Sequence, residues 1–112
     1  MQTMRRFDHA LDKWKARPIR DDALIVVLDA VPLRGAIQHI KRATPVLFAY
    51  AIYPDGSEDV LDFEIEHGES TNAWSKFCQR LYERGLKNVK LVVHDDCAAI
   101  ANAIAQIGRA HV

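Results

Sequence analysis

The segment ALIVVLDAVPL, residues 23–33, constrains the fold of this chain more than any other: an apolar run broken by one carboxylate, Asp29. It is far shorter than the roughly 20 residues a membrane-spanning helix requires. Its Ile and Val content suits a strand, which the pattern predicts from about Leu24 to Val31. Both alternating faces are apolar, as in a strand near the middle of a covered sheet. Ile25, Val27, Asp29 and Val31 share one of those faces. A buried carboxylate without a partner is unfavourable by several kcal/mol, on the order of an unpaired charge, so Asp29 points to a cation or a metal ion. The alternatives are a structural ion pair with an arginine, or a place where the strand has already left the core.

The rest of the chain alternates strands and helices. Phe7, Leu11 and Trp14 fall at i, i+4 and i+7, a short amphipathic helix that Pro18 closes. PVLFAYAIY predicts a second strand, Pro54-Asp55-Gly56 a turn, and DVLDFEIE a third strand antiparallel to the second. In that third strand Leu61, Phe63 and Ile65 alternate with Asp62, Glu64 and Glu66, the pattern of an edge strand with one solvated face. Ser70 or Thr71 caps a helix with the stripe Trp74, Phe77, Cys78 and Leu81, and Gly85 stops it. NVKLVVHD is a fourth strand, expected parallel to the first. A last helix carries Ile100, Ile104 and Ile107 on one face and is expected to stop at Gly108. The order is α/β, without internal repeats.

Size and charge narrow the function. With 112 residues, 49% of them hydrophobic, the chain makes one small domain with a real core. Its charged amphipathic N-terminus lacks the apolar stretch of a signal peptide, which predicts a cytoplasmic protein. Cys78 and Cys97 lie in apolar helical patterns without C-x-x-C spacing and are expected to be reduced, packed thiols. None of the five histidines pairs at a helical metal-ligand spacing. Fifteen basic and fifteen acidic residues cancel, unlike the strong basic excess of a self-sufficient nucleic-acid binder. If the protein touches DNA, it does so with help from a segment not present here or through a local patch. Arg34, Lys41 and Arg42, with His39 among them, supply one between the first two strands, the alternative being a solvated surface cluster.

Asp95 ends the fourth strand on the face of Val89, Leu91 and Val93, and Asp96 follows it. One of the two can cap the last helix, which leaves the other over. If the first and fourth strands are parallel neighbours, Asp29 and a carboxylate of this pair meet near the strands' C-terminal ends. Two carboxylates meeting there repel unless a cation joins them, and hard oxygen ligands suit Mg²⁺ or Mn²⁺.

Several stretches, in order from about Leu11 to Ile104, resemble the Mutator family of bacterial insertion-sequence transposases. LDKWKARPI resembles the family's W-x-x-R-P-L lead-in, and LIVVLDAVPLRG its first strand, Y-L-x-L-D-A-x-Y-x-K-x-R. YAIYPDGSEDVLDFEI is similar to V-A-I-G-V-x-x-D-G-x-R-E-V-L-G-F-x-I. GESTNAWSKFCQRLYERGLKNVKLVVHDD resembles G-E-S-E-x-x-W-x-x-F-L-x-x-L-x-x-R-G-L-x-x-V-x-L-V-I-S-D. The resemblance implies an α/β, RNase H-like catalytic domain with an Asp-Asp-Glu metal site, residues 1–18 being a lead-in helix and residues 19–112 part of that domain. It puts the first catalytic, metal-binding Asp on Asp29 and the second on Asp95, with Asp96 accessory.

Pro32 replaces the family's Tyr, Arg34 keeps its basic position in kind, and His94 replaces the Ser before the second Asp. No glutamate here matches the family's third carboxylate, which lies far downstream in the pattern. For an intact enzyme the resemblance implies that two metal ions activate water to nick a transposon end and then present the freed 3′-hydroxyl to target DNA. Asp29 would bridge the ions and Asp95 would hold one. A truncated RNase H-like fold of three antiparallel strands, helix, parallel strand and helix is thus expected, binding Mg²⁺ or Mn²⁺ weakly and inactive alone. It is expected to form a homodimer through the fourth strand's open edge. The alternative functions are a truncated, non-enzymatic regulator that binds DNA ends or the full transposase, and a small α/β binding module.

Overall fold

The apolar run forms strand β1 (Ile25–Leu33), and the rest of the molecule is arranged around it. The computed structural model describes residues 2–33, 44–68, 70–95 and 97–110. Helix α1 (Gln2–Ala16) precedes β1; strands β2 (Thr44–Ile52) and β3 (Glu58–Ile65), helix α2 (Thr71–Glu83), strand β4 (Leu91–His94) and helix α3 (Ala98–Ala110) follow it. The sheet order is β3-β2-β1-β4. β1 and β2 are antiparallel, as are β2 and β3, whereas β4 runs parallel to β1 with Ile25 opposite Leu91 and Leu28 opposite His94. The parallel fourth strand expected from the sequence is therefore present, although shorter than NVKLVVHD.

Helices α2 and α3 cover one face of the sheet. Val26 and Leu28 of β1, Leu47, Ala49 and Ala51 of β2 and Leu61 of β3 are buried on it against Trp74, Phe77 and Leu81 of α2 and Ile100 and Ala103 of α3. Each fully buried large side chain contributes about 1.5–3 kcal/mol by leaving water. Trp74 and Phe77 meet edge to face, their centroids 5.7 Å apart. The other face is half-covered. There Ile25 and Val27 are partly buried while Val31, Leu91 and Val93 are exposed, so β1 is not covered on both sides as its composition implied.

Local signals explain the element ends. Ser70 caps α2, its hydroxyl accepting from the Ala73 amide at 3.0 Å. The β2–β3 turn closes with Gly56 at φ 84° and the Gly56 amide donating to Tyr53. Asp55 binds it: the Ser57 hydroxyl first, then the Ser57 amide and Arg20, hold its carboxyl down to about 2. α3 runs through Gly108 to Ala110 rather than stopping there, because a helix tolerates one glycine at a cost of about 1 kcal/mol. Cys78 and Cys97 are free thiols, both half-buried, and burial pushes the Cys78 thiol up to about 11.

The third strand departs from the simple alternation. A register shift between Ala49 and Tyr50 places Tyr50 opposite Val60 and Ala49 opposite Asp62, leaving Leu61 as the extra residue of a β-bulge. Cross-strand partners share a face, so Asp62 and Glu64, opposite buried Ala49 and Leu47, look toward the helices. Ile65 is exposed instead of buried.

Gly85 ends α2 at φ 118°, and a Cβ there would lie 2.6 Å from the Ile19 carbonyl oxygen. Gly85→Ala is expected to cost more than about 1 kcal/mol, read as a lower urea midpoint with an unchanged slope.

Candidate functional site

β1 outruns β4. The last paired residues are Leu28 and His94, while β1 continues to Leu33, so the parallel pair ends in a notch at its C-terminal side. Asp29 sits at the start of that overhang, on the open face with Ile25 and Val27, and is partly buried. It remains opposite Phe48 of β2. The Ala30 amide, left without a β4 partner, donates to Asp29 Oδ1 at 2.8 Å. One carboxylate oxygen is thus held, and the second is not engaged by that bond.

Asp95 is the first residue beyond β4 and is exposed. The β1–β4 register stops at Leu28 and His94, one residue before Asp29 and Asp95. His94 Nδ1 lies 2.6 Å from the Asp95 carbonyl oxygen. Asp96, Arg34, His39, Lys41 and Arg42 lie outside the described residues. Among the described residues, no group of three or more His, Cys, Asp or Glu side chains is placed to hold a metal ion. Glu64 is engaged elsewhere, with Lys15 at 3.1 Å and Arg80 at 3.2 Å.

The most buried carboxylate is one that sequence patterning assigned to solvent. Asp62 is 1% exposed. Lys15 Nζ meets its Oδ1 at 2.8 Å and Arg84 Nη1 its Oδ2 at 3.4 Å, while the Phe63 amide donates to Oδ1 at 2.8 Å. The same cations line the outer edge of β3. Lys15 donates to the Phe63 carbonyl, Arg17 to Val60 at 2.7 Å and Leu61 at 3.3 Å, and Arg84 to Leu61 at 3.0 Å. Arg84 Nε also donates to the Arg17 carbonyl at 2.9 Å, and the Ile19 amide donates to the Arg84 carbonyl at 2.8 Å. Burial pushes the Arg84 guanidinium down from its ordinary value, and Asp62 opposes that shift. Trp14 packs against Phe63 with ring centroids 5.8 Å apart, and the Arg17 guanidinium lies over the Trp14 ring at 4.3 Å. This cluster ties α1, β3 and the end of α2 together. Arg17 and Arg84 are structural. The available signal was their place in the motifs, Arg17-Pro18 and Arg84-Gly85.

Comparison with known proteins decides the family. The profile described as "Transposase, Mutator family" matches residues 2–110. This chain belongs to the Mutator family of transposases. It is 34% identical over 103 residues to the transposase for insertion sequence element ISRM5 of Rhizobium meliloti (strain 1021), covering 92% of this chain and 26% of that protein. Similarity to the transposase for element IS406 of Burkholderia multivorans is 33% over 102 residues, covering 88% and 25% respectively. A shorter match, 38% over 56 residues, joins half of this chain to the transposase for element IS256 in transposon Tn4001 of Staphylococcus aureus, covering 14% of that protein. The chain spans about a quarter of the length of the first two of these relatives. Within this Mutator-family chain no described helix is long and apolar enough to cross a membrane.

Breaking a buried ion pair from one side leaves the opposite charge uncompensated. Asp62→Ala is therefore expected to destabilise this Mutator-family chain by about 3 kcal/mol, measured by urea unfolding. A change below about 1 kcal/mol, the range of an exposed pair, would show that the cluster is not the clasp described.

Proposed function

We propose that residues 19–112 form the opening part of an RNase H-like, Asp-Asp-Glu catalytic core, with residues 1–18 as its lead-in helix. The transposase so built cleaves DNA and joins strands with the help of a divalent cation. The observation that supports this reading is the parallel β1–β4 pair, whose register stops at Leu28 and His94, one residue before Asp29 and Asp95. Ligands gather at that end of parallel strands because the chain leaves the sheet there and backbone gives way to side chains.

The donor set fits a hard cation. Both candidate ligands are carboxylates, and Asp29 has one oxygen fixed by the Ala30 amide, so its second oxygen is presented in a set direction. Asp29 and Asp95 would hold Mg²⁺ or Mn²⁺. When bound, such an ion supplies Lewis-acid activation of water or of a 3′-hydroxyl and compensates charge at the phosphate. The protein's own part is to orient the two carboxylates and keep them apart from the Asp62 ion pairs. Arg34, Lys41 and Arg42 contact DNA phosphates, which carry affinity without reading sequence.

Line broadening by Mn²⁺ in NMR spectra tests the metal site. Signals of Asp29, Ala30 and Asp95 are expected to broaden first, and the double variant Asp29→Ala, Asp95→Ala to lose the effect. Identical titrations of the two proteins would remove the metal-site reading.

The expected homodimer has its surface at the same sheet end. β4 is the last strand on its side, and Leu91 (53% exposed) and Val93 (43% exposed) flank its edge. An edge with unpaired amides and carbonyls beside apolar side chains favours pairing with a second copy. Light scattering after size exclusion at micromolar concentration is expected to give twice the 12.7 kDa chain mass. A monomer mass would remove the dimer.

A further inference from the structure

The two candidate carboxylates are anchored differently. Asp29 lies inside β1, aligned with Phe48 of β2, and its side chain accepts from the Ala30 amide. Asp95 lies past the end of β4, where the ladder to β1 has stopped at His94. A residue leaving a strand loses the cross-strand bonds that fix its φ and ψ, and its carboxylate inherits that freedom. Its neighbour supplies a tie. His94 Nδ1 lies 2.6 Å from the Asp95 carbonyl oxygen. A carbonyl can only accept, so Nδ1 must carry the proton. In the neutral ring this selects the Nδ1–H tautomer and leaves Nε2 as the lone-pair nitrogen.

We propose that His94 is a positioning residue for the second carboxylate: its Nδ1–H holds the Asp95 carbonyl and so fixes the backbone from which the Asp95 side chain is presented beside Asp29. This rests on the metal-site reading above for its functional meaning, but the hydrogen bond itself does not. His94 is the last residue of β4, in register with Leu28, so its own backbone is set by the sheet. The imidazole transfers that order one residue further. Neighbours that orient metal ligands without touching the ion typically change metal affinity by 10–100-fold.

The test uses the 112-residue chain with three variants. Asparagine places an amide nitrogen close to where the imidazole Nδ1 stands, so His94→Asn keeps the donor. His94→Phe keeps the ring but loses it, and His94→Ala loses both. Nitrogen-15 NMR is expected to show the Nδ1–H tautomer for neutral His94. Amide order parameters at Asp95 are expected to fall in His94→Ala and His94→Phe and to recover in His94→Asn. Mn²⁺ broadening at Asp29 and Asp95 is expected to need about tenfold more metal in the Ala and Phe variants and to match wild type in the Asn variant. An Nε2–H tautomer, or order at Asp95 that is indifferent to all three substitutions, overturns the proposal. So does wild-type metal binding that Asp29→Ala abolishes and His94→Phe leaves unchanged. If the wild-type chain shows no Mn²⁺ effect while the tautomer and order parameters behave as expected, the positioning role stands and the metal-site reading fails.

Discussion

A single buried carboxylate organises one half of this molecule. Asp62 lies against the helix-facing side of the sheet with Lys15 and Arg84 on its two oxygens. Neither cation belongs to the sheet: one comes from the lead-in helix, the other from the C-cap of α2. Satisfying Asp62 therefore requires the N-terminal segment and α2 to converge on β3. The arrangement also solves the edge problem of β3, because carbonyls of Val60, Leu61 and Phe63 are taken by Arg17, Arg84 and Lys15. A strand edge covered by charged side chains does not template further pairing. At the opposite edge β4 carries no such cover among the described contacts, and the two sides of the sheet differ accordingly.

That asymmetry places the candidate site. With β3 occupied by the clasp and α2 packed over the helix-facing side, the open face and the end of the β1–β4 pair are what remain for chemistry. Asp29 lies on β1, two strands from β3, and Asp95 follows the edge strand β4. In the reading proposed above, that difference leaves the β4 side for the metal-binding carboxylates. A positive side chain within about 4–6 Å would compete for the same oxygens.

The motifs that mark the Mutator family divide in the same way. Asp29 lies within β1 and Asp95 just beyond β4, while Trp14, Arg17, Arg84 and Gly85 belong to the clasp. Trp14 packs on Phe63 under Arg17, and Gly85 lets the chain turn where a side chain would strike the Ile19 carbonyl. A pattern spread over some 85 residues is thereby two local structures, one for assembly and one for the proposed chemistry.

Much was legible in the sequence. Period-two and period-3.6 patterns located every strand and helix, Ser70 marked the start of α2, and the apolar first strand required a neighbour on each side. The two carboxylates at strand ends were visible too, because an acid in an apolar strand is conspicuous. What patterning could not give was the face of each residue in β3. One extra residue at Leu61 exchanges the inward and outward sides, and that bulge depends on pairing with β2 rather than on local preference. Asp62 and Glu64 therefore looked solvated, since an ion pair between residues 22 or more positions apart in sequence leaves no periodic trace. The sequence by itself determined which segments are strands and helices and which acids are out of place. Only the tertiary structure decided which acid is neutralised from within, because that depends on long-range register and on which cations the fold brings within reach.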